Sequence, residues 1–169
     1  ILSCYNHNGF PGNVIRPSNC YGSGQYVYRI IPKAILYALN DKKFPLEGGG
    51  KAKKSFMHSY DLAMAIIAIL KSNKFGKIYN AGVDEPVSMK NIIKTVAKIT
   101  NVDFDNFVQI TPGRKTEDSQ YWIDSSLIKK ELNWKPVISL DHGVEEVFNW
   151  VKKYKSILND EPDKFTLRA

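Results

Sequence analysis

Short apolar runs alternate along the chain with longer stretches in which apolar residues recur every three or four positions. The short runs are typical of strands and the longer repeats of helices. Predicted strands cover residues 12–16, 54–58, 76–82 and 107–111, and a further extended piece covers 121–124. Predicted helices cover residues 28–40, 59–71, 89–100, 125–132 and 139–158. Strands that alternate with helices favour an α/β layered domain.

Polar residues predict where several of these helices begin. Ser88 and Ser139 each precede a periodic stretch and are expected to cap it, and either Ser125 or Asp124 caps the short helix that ends at Leu132. The spacing in 59–71 puts four apolar residues on one face of the predicted helix, namely Leu62, Ile66, Ile69 and Leu70.

Length and composition limit the class of protein. The 169 residues are 43% hydrophobic, which fits one domain with a substantial core, and no apolar stretch reaches the ~20 residues of a membrane span. The chain opens in mid-pattern at Ile1, so we expect it to be a piece of a longer chain. Neither the cysteines (Cys4, Cys20) nor the histidines (His7, His58, His142) have metal-ligand spacing.

The formal charge of +7 favours an anionic partner, whether nucleic acid, a membrane surface or a phosphorylated small molecule. Most lysines are scattered along predicted helices, which is typical of a solvated surface and not of a nucleic-acid-binding stripe. A concentrated group occurs only at residues 51–54, after three glycines. Its order of residues excludes a P-loop.

The segment "RPSNCYGSGQ", residues 16–25, follows a predicted strand. Ligands of open α/β sheets bind beyond the carboxyl ends of the strands. Ser18 and Asn19 offer hydrogen bonds there, and Gly22 lets the backbone approach a ligand closely. A turn that satisfies its own polar groups accounts equally well for this composition.

Three further residues allow both a structural and a functional interpretation. Arg29 stands at a helix start, where a cation opposes the helix dipole, so it is either an exposed surface Arg or faces a bound anion. Lys54 enters a strand and either meets a phosphate or remains solvated. Asn80 lies at a strand end, where an Asn either forms a turn or contacts a ligand.

Six motifs in the same order resemble the extended short-chain dehydrogenases/reductases of the NAD-dependent epimerase/dehydratase family. The resemblance runs from about residue 10 to about residue 152 and is strongest to the dTDP-glucose 4,6-dehydratase group. The motifs are "RPSNCYG", "RIIP", "PLEGGGKAKKSFMHSYDLAMAI", "KIYNAG", "PG…YWIDSSLIKKELNWKP" and "SLDHGVEEVFNW".

The resemblance implies an α/β fold in which the end of a Rossmann-type parallel sheet adjoins a small α/β substrate-binding domain. It assigns residues 1–25 to the last part of the Rossmann-type core, 26–158 to the sugar-nucleotide-binding region and 159–169 to a polar tail. The N-terminal Rossmann half of the family is expected upstream of these residues.

The resemblance also implies roles for particular positions. Those expected near the cofactor NAD are Ser18, Tyr21 and Gly22. Those expected at the substrate are Asn19, Arg29, Lys54, Asn80 and Arg114. Lys54 replaces a family Arg, and Arg114 lies in "PGRKTEDSQY", which is longer than the family's P-G-H-D-R-R-Y.

The implied reaction oxidises C4 of a nucleoside-diphosphate sugar, removes water across C5–C6 and returns hydride at C6. A 4-epimerase or decarboxylase of the same family is the alternative, and a non-catalytic basic module that binds nucleotide or nucleic acid is the alternative of another class. The family's Tyr-x-x-x-Lys pair is absent from the 169 residues, so we expect no catalytic residue here and no activity from this chain alone. The full protein is expected to be a cytoplasmic homodimer with no nucleic-acid or membrane partner and no metal.

Overall fold

A computed structural model describes residues 1–113 and 118–165. Helices and strands alternate along most of this length, which confirms the predicted α/β class. In chain order the elements are α1 Leu2–Asn8, β1 Val14–Pro17, β2 Asn19–Tyr21, α2 Ile30–Leu39, β3 Phe44–Glu47, a turn at Gly48–Gly50, β4 Lys53–Lys54, β5 Phe56–His58, α3 Ser59–Lys71, β6 Ile78–Ala81, β7 Val87–Ser88, α4 Met89–Thr100, α5 Phe104–Phe107, β8 Val108–Thr111, β9 Gln120–Tyr121, α6 Ser126–Leu132, α7 Leu140–Lys153 and α8 Lys155–Leu158.

The chain forms two compact units, each made of three separate segments. Unit 1 contains residues 1–20, 54–86 and 121–138. Unit 2 contains residues 21–53, 87–120 and 139–169. The functional roles expected for residues 1–25, 26–158 and 159–169 stay a prediction.

Unit 1 is built on a parallel pair of strands. β1 pairs with β6 in a register that runs from Val14 opposite Ile78 to Pro17 opposite Ala81. Helices α3 and α6 pack against each other, and α6 also packs on β6. The buried core of unit 1 consists of Met57, Ala65, Ile69, Tyr79, Ala81, Ile128 and Trp134.

The inward face of α3 differs from the one predicted. Ile69 is buried as expected, but Ile66 is 40% exposed and Leu70 is 74% exposed. The buried positions are Asp61, Ala65 and Ile69, which recur every four residues. Asp61 belongs to this buried face because its carboxylate accepts hydrogen bonds from the backbone of residues 137 and 138. Apolar spacing alone could not reveal that requirement.

Unit 2 combines a helical layer with a second parallel pair. Helices α2, α4 and α7 pack on one another, and β3 pairs with β8 from Phe44 opposite Val108 to Glu47 opposite Thr111. Both predicted serine caps are confirmed, since Ser88 accepts from the amide of Asn91 and Ser139 from that of His142. The fully buried residues of the helical layer include Ile31, Ile35, Ile92, Ile93, Val96, Val144, Val147 and Val151.

One helix boundary required correction, and the structure decides between the two residues that the sequence offered as the cap of α6. The helix predicted over 139–158 ends at Lys153, and Tyr154, with φ −108° and ψ 17°, separates it from the short α8. Of the two candidates for the cap of α6, Asp124 accepts from the amide of Ser126, whereas Ser125 makes no capping bond. In the described ranges no helix is both long and apolar enough to cross a membrane.

Candidate functional site

The carboxyl ends of β1 and β6 lie side by side in unit 1 because the two strands are parallel. The amide of Ser18, the first residue after β1, donates to the carbonyl of Ala81 at 2.9 Å. Asn80 stands opposite Arg16 in the register. Ser18, Asn19 and Asn80, all predicted as site residues, therefore occur at one edge of the parallel pair, where α/β proteins bind ligands.

Two polar side-chain atoms at this edge are buried without a hydrogen bond. They are the hydroxyl of Ser18 and the amide nitrogen of Asn19. A buried donor without a partner costs about 1–3 kcal/mol, so natural proteins retain few of them. Neither atom finds a partner within the described part of the chain, so both can donate to another group.

Gly82 leaves room beside Ser18. A Cβ added at Gly82 would lie 3.1 Å from the Ser18 hydroxyl and 3.1 Å from Cγ1 of Ile123. That separation is closer than comfortable van der Waals contact, so a side chain at this position would displace Ser18. The glycine thus keeps the backbone close to the unmatched hydroxyl, a feature that the motif "NAG" did not by itself reveal.

Asn80, in contrast, has a partner inside unit 1. Its side-chain amide donates to the carbonyl of Asp124 at 3.0 Å. The Asp124 carboxylate in turn accepts from the amide and hydroxyl of Ser126, and these bonds are the main cause that lowers the pKa of Asp124. Asn80 therefore fixes the start of α6 to β6, and any ligand contact is additional to this structural bond.

Lys54 lies in the same part of unit 1 because its neighbour, Ser55, is bonded there. The side chain of Lys54 is half-buried and Ser55 is fully buried. The Ser55 hydroxyl donates to the carbonyl of Val83 at 2.8 Å and accepts from the Val83 amide at 3.1 Å. These two hydrogen bonds attach Ser55 to the segment after β6. They place Lys54, the preceding residue, at the strand-end edge of unit 1. Sequence reasoning missed Ser55, which lies between β4 and β5, since a lone serine inside the predicted strand 54–58 carries no distinguishing signal.

His58 is the N-cap of α3. Its Nδ1 accepts from the amide of Tyr60 at 3.3 Å, and the side chain is buried. A capping role accounts for this residue without any catalytic function.

Tyr21 and Gly22 lie in unit 2 and are buried. A Cβ at Gly143 would lie 2.3 Å from the Tyr21 hydroxyl, so the first turns of α7 accommodate the phenol only because residue 143 is glycine. With its ring packed in the unit 2 core, Tyr21 could serve a cofactor mainly through its backbone. The positive φ in this loop, +85°, belongs to Gly24.

Arg29 is the N-cap residue of α2 and is exposed. Its guanidinium carbon lies 5.3 Å from the ring centroid of Tyr28, a cation–π distance. The cap has no side-chain hydrogen bond, and the first turn of α2 contains no acidic residue. A cation at this helix start is compatible with a bound anion.

The structure thus distributes the predicted residues over both units. Unit 1 contains Ser18, Asn19, Lys54 and Asn80, and unit 2 contains Tyr21, Gly22 and Arg29. Arg114 lies outside the described residues. Among the described residues no group of three or more His, Cys, Asp or Glu could hold a metal ion.

Comparison with known proteins matches residues 1–147 to the family model described as GDP-mannose 4,6 dehydratase. The human dTDP-D-glucose 4,6-dehydratase is 27% identical over 158 residues, which cover 90% of this chain and 45% of that protein. The dTDP-glucose 4,6-dehydratase of Streptomyces griseus is 28% identical over 158 residues, which cover 92% of this chain and 48% of that protein.

A solved structure gives the same result. The dTDP-glucose 4,6-dehydratase of Bacillus anthracis, crystallised in complex with NAD, superposes with a TM-score of 0.83 at 27% identity. The match covers 92% of this chain and 49% of the solved chain. The chain therefore spans less than half of the length of these curated relatives. It belongs to the GDP-mannose 4,6-dehydratase family, among the extended short-chain epimerases and dehydratases that its motifs resemble.

Proposed function

We propose that this chain is the substrate-binding part of an NAD-dependent nucleotide-sugar 4,6-dehydratase. The observation that carries the proposal is the pair of buried, unmatched donors, the Ser18 hydroxyl and the Asn19 amide, beside the ends of two parallel strands. Family membership supports the choice of substrate class, and the curated relatives named above support a dehydratase.

The proposed role of each residue follows from its atoms. In unit 1, Asn19 donates its amide to the substrate diphosphate and Lys54 supplies positive charge to it. In unit 2, Arg29 is proposed as a residue that binds phosphate. Asn80 orients the neighbouring segment through the Asp124 carbonyl and contacts the nucleotide with its remaining amide capacity. Arg114 is proposed as a further diphosphate contact.

The residues present are compatible with NAD. Ser18 has a buried hydroxyl that no described group satisfies, and the backbone at Gly22 allows close approach. NAD, when bound, supplies the acceptor and the donor of the hydride. Toward it, Ser18 donates a hydrogen bond and Gly22 leaves space, while the acid–base groups belong to other parts of the full protein. We propose that this full protein is a cytoplasmic homodimer, which rests on the family alone.

Calorimetric titration of the 169-residue chain tests the proposal. We expect dTDP, UDP and their glucose conjugates to bind, and thymidine or uridine to bind far more weakly because they lack the diphosphate. Single-stranded oligonucleotides of matched charge separate this proposal from a basic nucleic-acid module. Tight oligonucleotide binding with no response to nucleoside diphosphates would contradict the proposal.

A further inference from the structure

The segment that follows β6 is held by buried hydroxyl groups from two other parts of unit 1. The Ser55 hydroxyl donates to the carbonyl of Val83 at 2.8 Å and accepts from the Val83 amide at 3.1 Å. The Ser125 hydroxyl donates to the carbonyl of Gly82 at 3.4 Å. Both serines are buried, so water does not compete for these bonds. Ser55 and Ser125 together are called the serine clamp below.

Each serine of the clamp belongs to a backbone that is itself attached. The Ser55 amide donates to the carbonyl of Tyr121 at 3.0 Å. Ser125 directly precedes α6, and a lysine of that helix, Lys129, donates to the carboxylate of Asp84. Side chains therefore hold residues 82, 83 and 84 one after another, from the β4–β5 connection and from α6, and the segment has little freedom to shift.

The clamped segment lies directly against Ser18. A Cβ added at Gly82 would lie 3.1 Å from both the Cβ and the hydroxyl of Ser18. The carbonyls of three successive residues here already accept hydrogen bonds, those of Gly82 and Val83 from the serine clamp and that of Ala81 from the Ser18 amide. The Ser18 hydroxyl is buried beside them and makes no hydrogen bond within the described part of the chain.

The serine clamp explains why this hydroxyl has no partner. A buried hydroxyl without a hydrogen bond is unfavourable, so an unattached segment would shift until one of its carbonyls accepted from Ser18. The clamp opposes that shift, since moving Gly82 or Val83 breaks hydrogen bonds that are also buried. A donor held in this way strengthens binding, because a ligand does not have to displace an internal partner.

We infer that Ser55 and Ser125 are positioning residues of the ligand site, which occupy the carbonyls of residues 83 and 82 and thereby keep the Ser18 hydroxyl available to a ligand. This inference rests on the proposed function. It extends the site from residues that contact the nucleotide sugar or its cofactor to two buried serines that act through Ser18.

Calorimetric titration of the 169-residue chain with UDP-glucose tests the serine clamp. Ser18→Ala removes the donor and should weaken binding roughly three- to tenfold, the factor that a neutral hydrogen bond contributes. Ser55→Ala and Ser125→Ala should each weaken binding by up to the same factor, because the released carbonyl then accepts from Ser18. Ser55→Thr, which keeps the hydroxyl, should bind UDP-glucose like the original chain.

A double variant gives the readout that a merely structural role would not change. The variant with both Ser18→Ala and Ser125→Ala should bind UDP-glucose like Ser18→Ala alone, because the effect of Ser125 passes through the Ser18 hydroxyl. Losses of affinity that add in the double variant would overturn the positioning role. Ser125→Ala removes a single bond of 3.4 Å, so it keeps the test available even where Ser55→Ala does not fold.

Ser72→Ala is the matched control for Ser55→Ala. The Ser72 hydroxyl makes the same pair of bonds, donating to the carbonyl of Ile69 at 2.7 Å and accepting from the amide of Lys74 at 3.1 Å, but it does so at the end of α3. Its removal should lower the melting temperature and leave UDP-glucose affinity unchanged.

The outcomes separate the two proposals. Normal UDP-glucose affinity in both Ser55→Ala and Ser125→Ala would overturn the role of the serine clamp and leave the proposed function intact. Failure of the unaltered chain to bind any nucleoside diphosphate or its glucose conjugate would overturn the proposed function and the role of the clamp with it.

Discussion

Asn19 and Asn80 stand near neighbouring strand ends of unit 1, but their amides differ in partners. The Asn80 amide is bonded to the Asp124 carbonyl, whereas the Asn19 amide nitrogen is buried without a bond in the described part of the chain. The sequence identified both residues as candidates because polar residues cluster after the strands. It could not distinguish them, since the partner of Asn80 lies 44 residues away.

Lys54 tests the contribution of a single charge. Lys54→Ala should weaken UDP-glucose binding about tenfold or more, because a charged hydrogen bond contributes about 1.5–3 kcal/mol. Lys54→Arg should retain or improve affinity, since the guanidinium can bind a phosphate with two parallel bonds. Lys53→Ala, at the exposed neighbour, is the control. Equal dissociation constants for Lys54→Ala and the original chain in calorimetry would contradict a phosphate contact.

At the scale of elements, the periodic spacing and the capping residues predicted most helices correctly. The spacing in 59–71 and 89–100 and the serines before α4 and α7 predicted helices that the structure confirms. What could not be predicted depends on partners distant in sequence. The burial of Asp61 in α3 goes with its bonds to the amides of Val137 and Ile138, which lie 76 and 77 residues later in the chain.

Asp61 connects α3 to the segment that leads out of α6. Its buried carboxylate accepts from the amides of Val137 and Ile138, and its carbonyl accepts from the indole of Trp134. Asp61→Ala removes two charged hydrogen bonds and leaves two amides unmatched, so the free energy of unfolding should fall by about 3 kcal/mol. Urea denaturation measures this change in the free energy of unfolding.

The matched control for Asp61 is Asp141→Ala, in the first turn of α7. Asp141 forms an exposed ion pair with Lys98, and such pairs contribute under ~1 kcal/mol. Equal changes in stability for the two variants would show that the Asp61 bonds do not hold the segment.

The contact between β6 and α6 predicts how the stability of the fold changes at alkaline pH. Tyr79 is buried and donates to Glu131 at 2.9 Å, and burial first, then this bond, raises the pKa of Tyr79 to about 12. The pKa of Tyr79 in the fold lies above its value of ~10 in the unfolded chain, so the protonated phenol stabilises the fold. This contribution is complete below pH ~10 and is lost as the pH rises toward 12. Tyr79→Phe, which has no phenol to ionise, should lose less stability over that interval.

Thermal melts between pH 9 and 12 compare Tyr79→Phe with Tyr60→Phe, a control at an exposed position. The Tyr60 variant should follow the original chain across the whole interval. Identical pH dependence for the Tyr79 variant and the original chain would show that the raised pKa does not contribute to stability.

At the scale of the whole molecule, each unit is assembled from three segments that alternate along the chain. Segments of this kind are not separated by linkers, so composition gives no sign of the division. The relation to nucleotide-sugar dehydratases was predictable because six short motifs keep their order. The bond of Lys33 to Asp163 and the contact of Tyr28 with Phe165 were not, since these partners lie about 130 residues apart.

The chain alone should not catalyse dehydration. Its 169 residues contain no Tyr-x-x-x-Lys pair, so we expect no 4-keto-6-deoxy product from dTDP-glucose with NAD. Chromatography of the sugar nucleotides after long incubation measures this. Product formation by the purified chain, in proportion to its concentration, would contradict the assignment of catalysis to other parts of the full protein.

The central claim, that the segment after β1 with Ser18 and Asn19 binds ligand, is tested most directly by Asn19→Ala with Asn13→Ala as its matched control. Asn13 holds its loop by donating to the carbonyl of Lys74 and accepting from the amide of Lys77. UDP-glucose affinity and melting temperature are measured on both variants. We predict that Asn19→Ala loses about tenfold in affinity with an unchanged melting temperature, and that Asn13→Ala shows the reverse. A lower melting temperature with normal affinity in Asn19→Ala would contradict the account.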